Sequence, residues 1–132
     1  MPENQNKPAA VLVIDDDKNQ RSMLTFSLRD QGYLVTAVES GAAALTAAQA
    51  SHFDVAICDI MMPGFDGMET LKTLKTRFPR LEVVMATGYA TPKTAMTSMK
   101  LGAFNYIAKP YELKDLLAVL KKAVARSRHD QA

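Results

Sequence analysis

Four places in this sequence combine residue types that could do chemistry together. Asp15, Asp16 and Asp17 follow the apolar run "VLVI" (11–14) without a break. Asp59 ends a second apolar run, Thr87-Gly88 ends a third and Lys109-Pro110 ends a fourth. Crowded carboxylates repel: at an effective dielectric of about 20, two charges roughly 4 Å apart cost around 4 kcal/mol. Such a cluster needs either solvent or a cation. Hard oxygen donors suit Mg²⁺, which keeps some waters and is held by one or two carboxylates plus phosphate oxygens. A carboxylate beside such an ion can attack a phosphoryl group as nucleophile, while a hydroxyl and an ammonium orient and neutralise the remaining phosphoryl oxygens.

Whether these groups can meet depends on the elements that carry them. The runs "AVLVI" (10–14), "YLVTAV" (33–38), "DVAIC" (54–58), "EVVMA" (82–86) and "FNYIA" (104–108) read as strands, mostly too continuous for half-exposed ones and so expected to be buried on both faces. Helix-period segments lie between them. Leu24 and Leu28 precede Gly32, a left-handed stop signal, and "GAAALTAAQAS" (41–51) is an alanine-rich helix. Leu71, Leu74 and Phe78 recur at helical spacing before Pro79, while Thr91-Pro92 and Gly102 bracket a fourth helix. Leu113, Leu116, Leu117, Leu120 and Val124 stripe a fifth. Five βα units in strict alternation predict an α/β fold: an open, doubly wound (βα)5 parallel sheet of the flavodoxin-like type, strand order 2-1-3-4-5. In that order the ligand crevice lies at the carboxyl ends of strands 1 and 3, and all four groups point into it.

Composition excludes several classes of function. With 132 residues, 48% of them hydrophobic, the chain can bury one substantial core. A net charge of +2 gives no global drive toward nucleic acid or an anionic membrane, and no run approaches the roughly eighteen apolar residues of a membrane span. The leader "MPENQNKP" lacks the apolar core of a secretion signal, so a cytoplasmic protein is expected. The single cysteine, Cys58, excludes an internal disulfide and a cysteine-built zinc site. Residues 1–8 are expected to be a disordered leader, 9–126 the folded domain, and 127–132 a frayed tail or the start of a linker.

The combination "VIDDD" (13–17), "CDIMMPGFDG" (58–67), "MATGYA" (85–90) and "NYIAKP" (105–110) resembles the receiver domain of two-component response regulators, whose sheet is the CheY-like form of the flavodoxin-like fold. The resemblance spans roughly residues 10–126 and is nearest to receivers of enhancer-binding transcriptional activators that carry an AAA+ module. It implies that Asp59 is the phosphoacceptor, that Asp16 binds Mg²⁺ directly, and that Asp15 acts through metal-bound water. Met61 stands where the family offers a backbone carbonyl to the metal. Thr87 and Lys109 match the phosphoryl-binding pair, Gly88 a backbone contact to the phosphoryl group, and Thr87 with Tyr106 the switch pair. A cis Lys109–Pro110 bond is implied as well. The implied partners are a sensor histidine kinase or phosphotransfer protein, and a second copy through the face of helix 4, strand 5 and helix 5. That face is expected to be apolar, with Met96, Ala103 and Tyr111 on it.

Plainer readings compete for the same residues. Aspartates at 15–17 could simply cap the first helix, and Asp17 is expected to do so. Asp66-Gly67 reads as a turn into a helix, Cys58 as a buried hydrophobe, and His52 and His129 as surface residues. A haloacid-dehalogenase-type phosphohydrolase also uses a strand-end aspartate with Mg²⁺, but Ile60-Met61 stand where its second acid belongs. A flavin carrier would need a phosphate loop after strand 1, where this chain places negative charge. The resemblance implies that Met61 and Tyr89 flank the approach of water to a phosphorylated Asp59; both are poor at orienting it, so slow self-hydrolysis is expected.

Overall fold

A computed structural model describes residues 7–60 and 66–131. Among them five strands and five helices alternate: β1 (Ala10–Ile14), α1 (Lys18–Asp30), β2 (Leu34–Val38), α2 (Gly41–Ala50), β3 (Val55–Cys58), α3 (Gly67–Arg77), β4 (Glu82–Thr87), α4 (Pro92–Lys100), β5 (Asn105–Ala108) and α5 (Leu113–Gln131). The strands form one parallel sheet in the order β2-β1-β3-β4-β5. The helix boundaries follow local chemistry. Asp17, Ser40, Asp66 and Thr91 accept backbone N–H groups at the starts of α1, α2, α3 and α4, satisfying donors that have no partner inside the helix. Gly32 and Gly102 take φ of 93° and 100° just after α1 and α4, where a side chain would be strained.

The period of two along each strand divides the core. Leu12, Ile14, Ala56, Cys58, Val83 and Met85 face one way, onto Ala44 of α2 and Leu71 and Leu74 of α3. Val11, Val13, Val55, Ile57, Val84 and Ala86 face the other way, onto Leu28 of α1 and Leu116, Leu120 and Ala123 of α5. Burial on both faces holds for β1, β3 and β4, whereas β2 and β5 are half-exposed. The difference is positional: the two outer strands have one neighbour each, and Leu34 is 59% exposed despite its apolar side chain.

Past residue 126, where the sequence shows no apolar pattern, α5 continues to Gln131. Its last turns are held by polar contacts. The Ser127 hydroxyl is fully buried and donates to the Arg80 carbonyl at 2.8 Å, and Arg128 Nε donates to Asp54 Oδ1 at 3.3 Å. Asp54, itself buried, also accepts the Ala10 N–H at 2.9 Å. An apolar stripe is absent here, which is why periodicity gave no sign of this anchoring. Most of the expected disordered leader, residues 1–6, lies outside the described residues. Removing one partner of a buried ion pair costs about 3 kcal/mol. A chain ending at Arg126 should therefore unfold at lower urea with a loss of this size, whereas an unchanged midpoint would mean that residues 127–131 contribute nothing.

Candidate functional site

The parallel ladder carries the chemistry one residue past the strands. The Asp15 N–H donates to Val38 O and the Asp59 N–H to Ile14 O, both at 3.1 Å, and the Lys109 N–H donates to Thr87 O at 2.8 Å. Residues from β1, β3 and β5 are thereby fixed at one edge of the sheet. Lys109 Nζ donates to Asp15 Oδ2 at 3.1 Å, to Asp59 Oδ2 at 3.0 Å and to Gln20 Oε1 at 2.6 Å. Burial alone would depress the Lys109 ammonium, but hydrogen bonds to Asp59 and Asp15 and their charge outweigh it, so its pKa is raised above 10.5. With the folded value raised, this contribution to stability is complete below the unfolded pKa and is lost as pH climbs through the folded one.

The other expected residues are placed less uniformly. Asp17 caps α1, its carboxylate accepting the Gln20 N–H at 2.9 Å, while its own N–H donates to Asp15 Oδ1 at 2.9 Å. Asp16 is exposed. Among the described residues no group of three or more His, Cys, Asp or Glu side chains is assembled as a metal site. Asp15 and Asp59 are nevertheless a hard, paired oxygen donor set of the kind Mg²⁺ takes with water and phosphate. Met61, expected to offer a carbonyl, lies outside the described residues. Thr87 is fully buried and its Oγ1 accepts the Tyr89 N–H at 3.0 Å. A Cβ built on Gly88 would meet nothing within 4 Å, so there is open space beside it. Tyr106 directs its hydroxyl to Thr94 Oγ1 and to the Thr91 N–H, at the start of α4.

Several neighbours are as expected and two contributors were not anticipated. Cys58 is fully buried, and burial, with the nearby Asp59 and Asp15 charges, pushes its thiol far up, so it is an inert hydrophobe. His52 and His129 are exposed, and Lys109–Pro110 is cis. Gln20 was not singled out from the sequence, where it reads as a polar residue in the first turn of a helix. Gly67 is the other. A Cβ there would stand 2.1 Å from the Asp59 carbonyl oxygen and 2.6 Å from Ile60 Cα, so only glycine lets α3 begin against the segment that carries Asp59. The Gly67 N–H donates to Ile60 O at 2.7 Å across this approach.

A doubly wound sheet with acidic residues after its first and third strands and a lysine after its fifth defines a class, and comparison with known proteins gives the family. The family model described as response regulator receiver domain matches residues 11–121. The chain belongs to this family of two-component receiver domains. It is 38% identical over 117 residues to the transcriptional regulatory protein ZraR of Escherichia coli (strain K12), a match covering 89% of this chain and 26% of that protein. The chain thus spans about a quarter of the length of this relative. Among solved structures, a CheY-like receiver domain protein from Methanospirillum hungatei JF-1 superposes with a TM-score of 0.89 at 27% identity, covering 94% of this chain and 99% of that one. The response regulator TrrA of Thermotoga maritima, solved with Mg²⁺-BeF, superposes with a TM-score of 0.80 at 28% identity over 87% of this chain and 98% of its own. The relation to transcriptional regulators agrees with the resemblance read from the motifs, and the phosphohydrolase and flavin-carrier readings are set aside.

The close approach at Gly67 has a measurable sign. Alanine is the better helix former, yet forcing an extra carbon into packed backbone costs about 1–3 kcal/mol. Gly67→Ala should lower the unfolding free energy by that amount in urea titration. A variant as stable as the native protein would show that the contact between α3 and the Asp59 segment can relax at no cost.

Proposed function

We propose that this domain is a phosphorylation-controlled switch in which Asp59 accepts a phosphoryl group from a sensor histidine kinase or phosphotransfer protein. The observation that carries the reading is the Lys109 ammonium held between Asp15 and Asp59. In the transfer, the phosphorus–nitrogen bond of a phosphohistidine breaks and a phosphorus–oxygen bond to Asp59 forms. The electron pair leaves with the imidazole. Asp15, Asp16, Asp59 and the Met61 carbonyl would hold Mg²⁺, which when bound offsets the charge of the carboxylates and of the incoming phosphoryl oxygens. Lys109 neutralises one phosphoryl oxygen, the Thr87 hydroxyl orients another, and the Gly88 N–H contacts a third. The domain supplies its own transfer and slow hydrolysis but is not built for turnover.

The switch would run through the loop between β4 and α4. When Thr87 Oγ1 turns to a phosphoryl oxygen it releases the Tyr89 N–H, and the segment from Tyr89 to Thr91 leads directly to the cap of α4 and to the Tyr106 hydroxyl. Movement there alters the face made by α4, β5 and α5, which we take to be the contact with an output domain or with a second copy. Met96 and Met99 are 61% and 50% exposed on α4 and support an apolar contact. Ala103, expected on that face, belongs to the core instead, and Tyr111 packs partly against the α5 side. No helix among the described residues is long and apolar enough to cross a membrane. A cytoplasmic location, with transcription as the output and no direct nucleic-acid or membrane contact by this domain, fits this reading.

Incubation with Mg²⁺ and a small acyl phosphate, followed by intact mass spectrometry, is the test. The protein should gain one phosphoryl group, and neither Asp59→Asn nor protein treated with a chelator should do so. A stable phosphate on His52, or labelling that survives chelation, would contradict the assignment.

A further inference from the structure

We infer that Gln20 is a positioning residue for Lys109, holding its ammonium over the acceptor carboxylate throughout phosphoryl transfer. The inference rests on the phosphoacceptor reading of Asp59. Among the described residues three side chains accept from Lys109 Nζ: Asp15, Asp59 and Gln20, the last at 2.6 Å, the shortest of the three. An ammonium has three donors and no acceptor, so the amide oxygen is the atom that must face it. Two of these acceptors have other work in the reaction. Asp59 would become the acyl phosphate, and Asp15 would help to hold Mg²⁺. Gln20 has no such task, and its contact alone can persist from the resting to the phosphorylated state.

Local structure explains why the side chain is available for this. Gln20 stands at the third position of α1, three residues after its cap Asp17. There a glutamine ordinarily bends back to the cap's own N–H. In this chain the Asp17 N–H is taken by Asp15 Oδ1, and the Gln20 amide reaches across to Lys109 instead. The amide is also neutral. It offers a strong charge-assisted acceptor without adding to the negative field that an incoming phosphoryl group must enter. Lys109 extends from the end of β5 and Gln20 from the first turn of α1, so the contact closes the site between two elements that the strand ladder does not connect.

The test uses three substitutions at an exposed helical position. Gln20→Leu keeps the size and removes the acceptor, Gln20→Asn keeps the amide but shortens its reach, and Gln20→Glu keeps both reach and acceptor. Labelling by acyl phosphate at saturating Mg²⁺ should slow by about tenfold in the leucine and asparagine variants, ~1.4 kcal/mol of barrier. Half-saturation by Mg²⁺ should not move to higher concentration, because loosening the ammonium only removes a competitor for the carboxylate oxygens. In the unphosphorylated protein, the Lys109 side-chain ammonium signal in nitrogen-15 NMR should be lost to solvent exchange in those two variants and retained in Gln20→Glu. A wild-type rate in Gln20→Leu, Mg²⁺ half-saturation shifted to higher concentration, or a slowed rate with the ammonium signal intact would overturn the inference. If the wild-type protein gained no phosphoryl group that Asp59→Asn lacks, the phosphoacceptor reading would fall, and this one with it.

Discussion

One ammonium between two carboxylates is the interaction on which the rest of this molecule depends. Lys109 stands 3.1 Å from Asp15 and 3.0 Å from Asp59, and each of the three comes from a different strand end. Without a cation the two acids would repel where the sheet forces them together. The fold is what forces them. Parallel pairing of β3 with β1, and of β5 with β4 beyond, brings the carboxyl ends to one edge, and the backbone bonds from Asp15, Asp59 and Lys109 extend that register by one residue. The resting site is thus electrostatically closed by the protein itself, in a state that a divalent ion and a phosphoryl group would reopen.

Magnitudes indicate where a switch would draw its energy. Moving a two-state equilibrium from 1:99 to 99:1 takes about 5.5 kcal/mol of differential stabilisation. The hydrogen bond from Tyr89 to Thr87 is worth only about 1 kcal/mol net, so its exchange for a phosphoryl contact cannot be the source. The redistribution of charge around Asp59 has the necessary scale, because interactions among several partly buried charges reach several kcal/mol. In the proposed switch Thr87 would transmit the change and the site would drive it. The Tyr89 to Thr91 segment, joined to Tyr106 and to the cap of α4, is the short path between them.

The candidate residues stood out because each follows an apolar run, and a parallel sheet puts the ends of such runs together. Asp15, Asp59, Thr87 and Lys109 could be set at strand ends from that alone, the strand order came from the strict alternation of strands and helices, and the helix starts at Asp17 and Thr91 came from their capping residue types. What escaped notice has no periodic or compositional sign. Gln20 acts on a lysine 89 residues away, which nothing in its helical position announces. Gly67 was read as part of a turn into a helix, but it matters because of backbone that it nearly touches, not because of its own conformation. Ser127 and Arg128 of α5 make polar contacts with Arg80 and Asp54, which a search for an apolar stripe does not register. The exposure of β2 and β5 follows from their place at the two edges, and apolar runs of this length look the same at an edge as at the centre.

Thermal unfolding of the native protein and Lys109→Met, each with Mg²⁺ and with a chelator, tests the central claim most directly. If the ammonium neutralises Asp15 and Asp59 in the resting protein, the variant is the less stable of the two in chelator, because its paired carboxylates have lost their cation. Mg²⁺ should then raise its midpoint by more than it raises that of the native protein, since no ammonium competes for the same oxygens. Equal increments in the two proteins, or a variant as stable as the native chain without metal, would contradict the account.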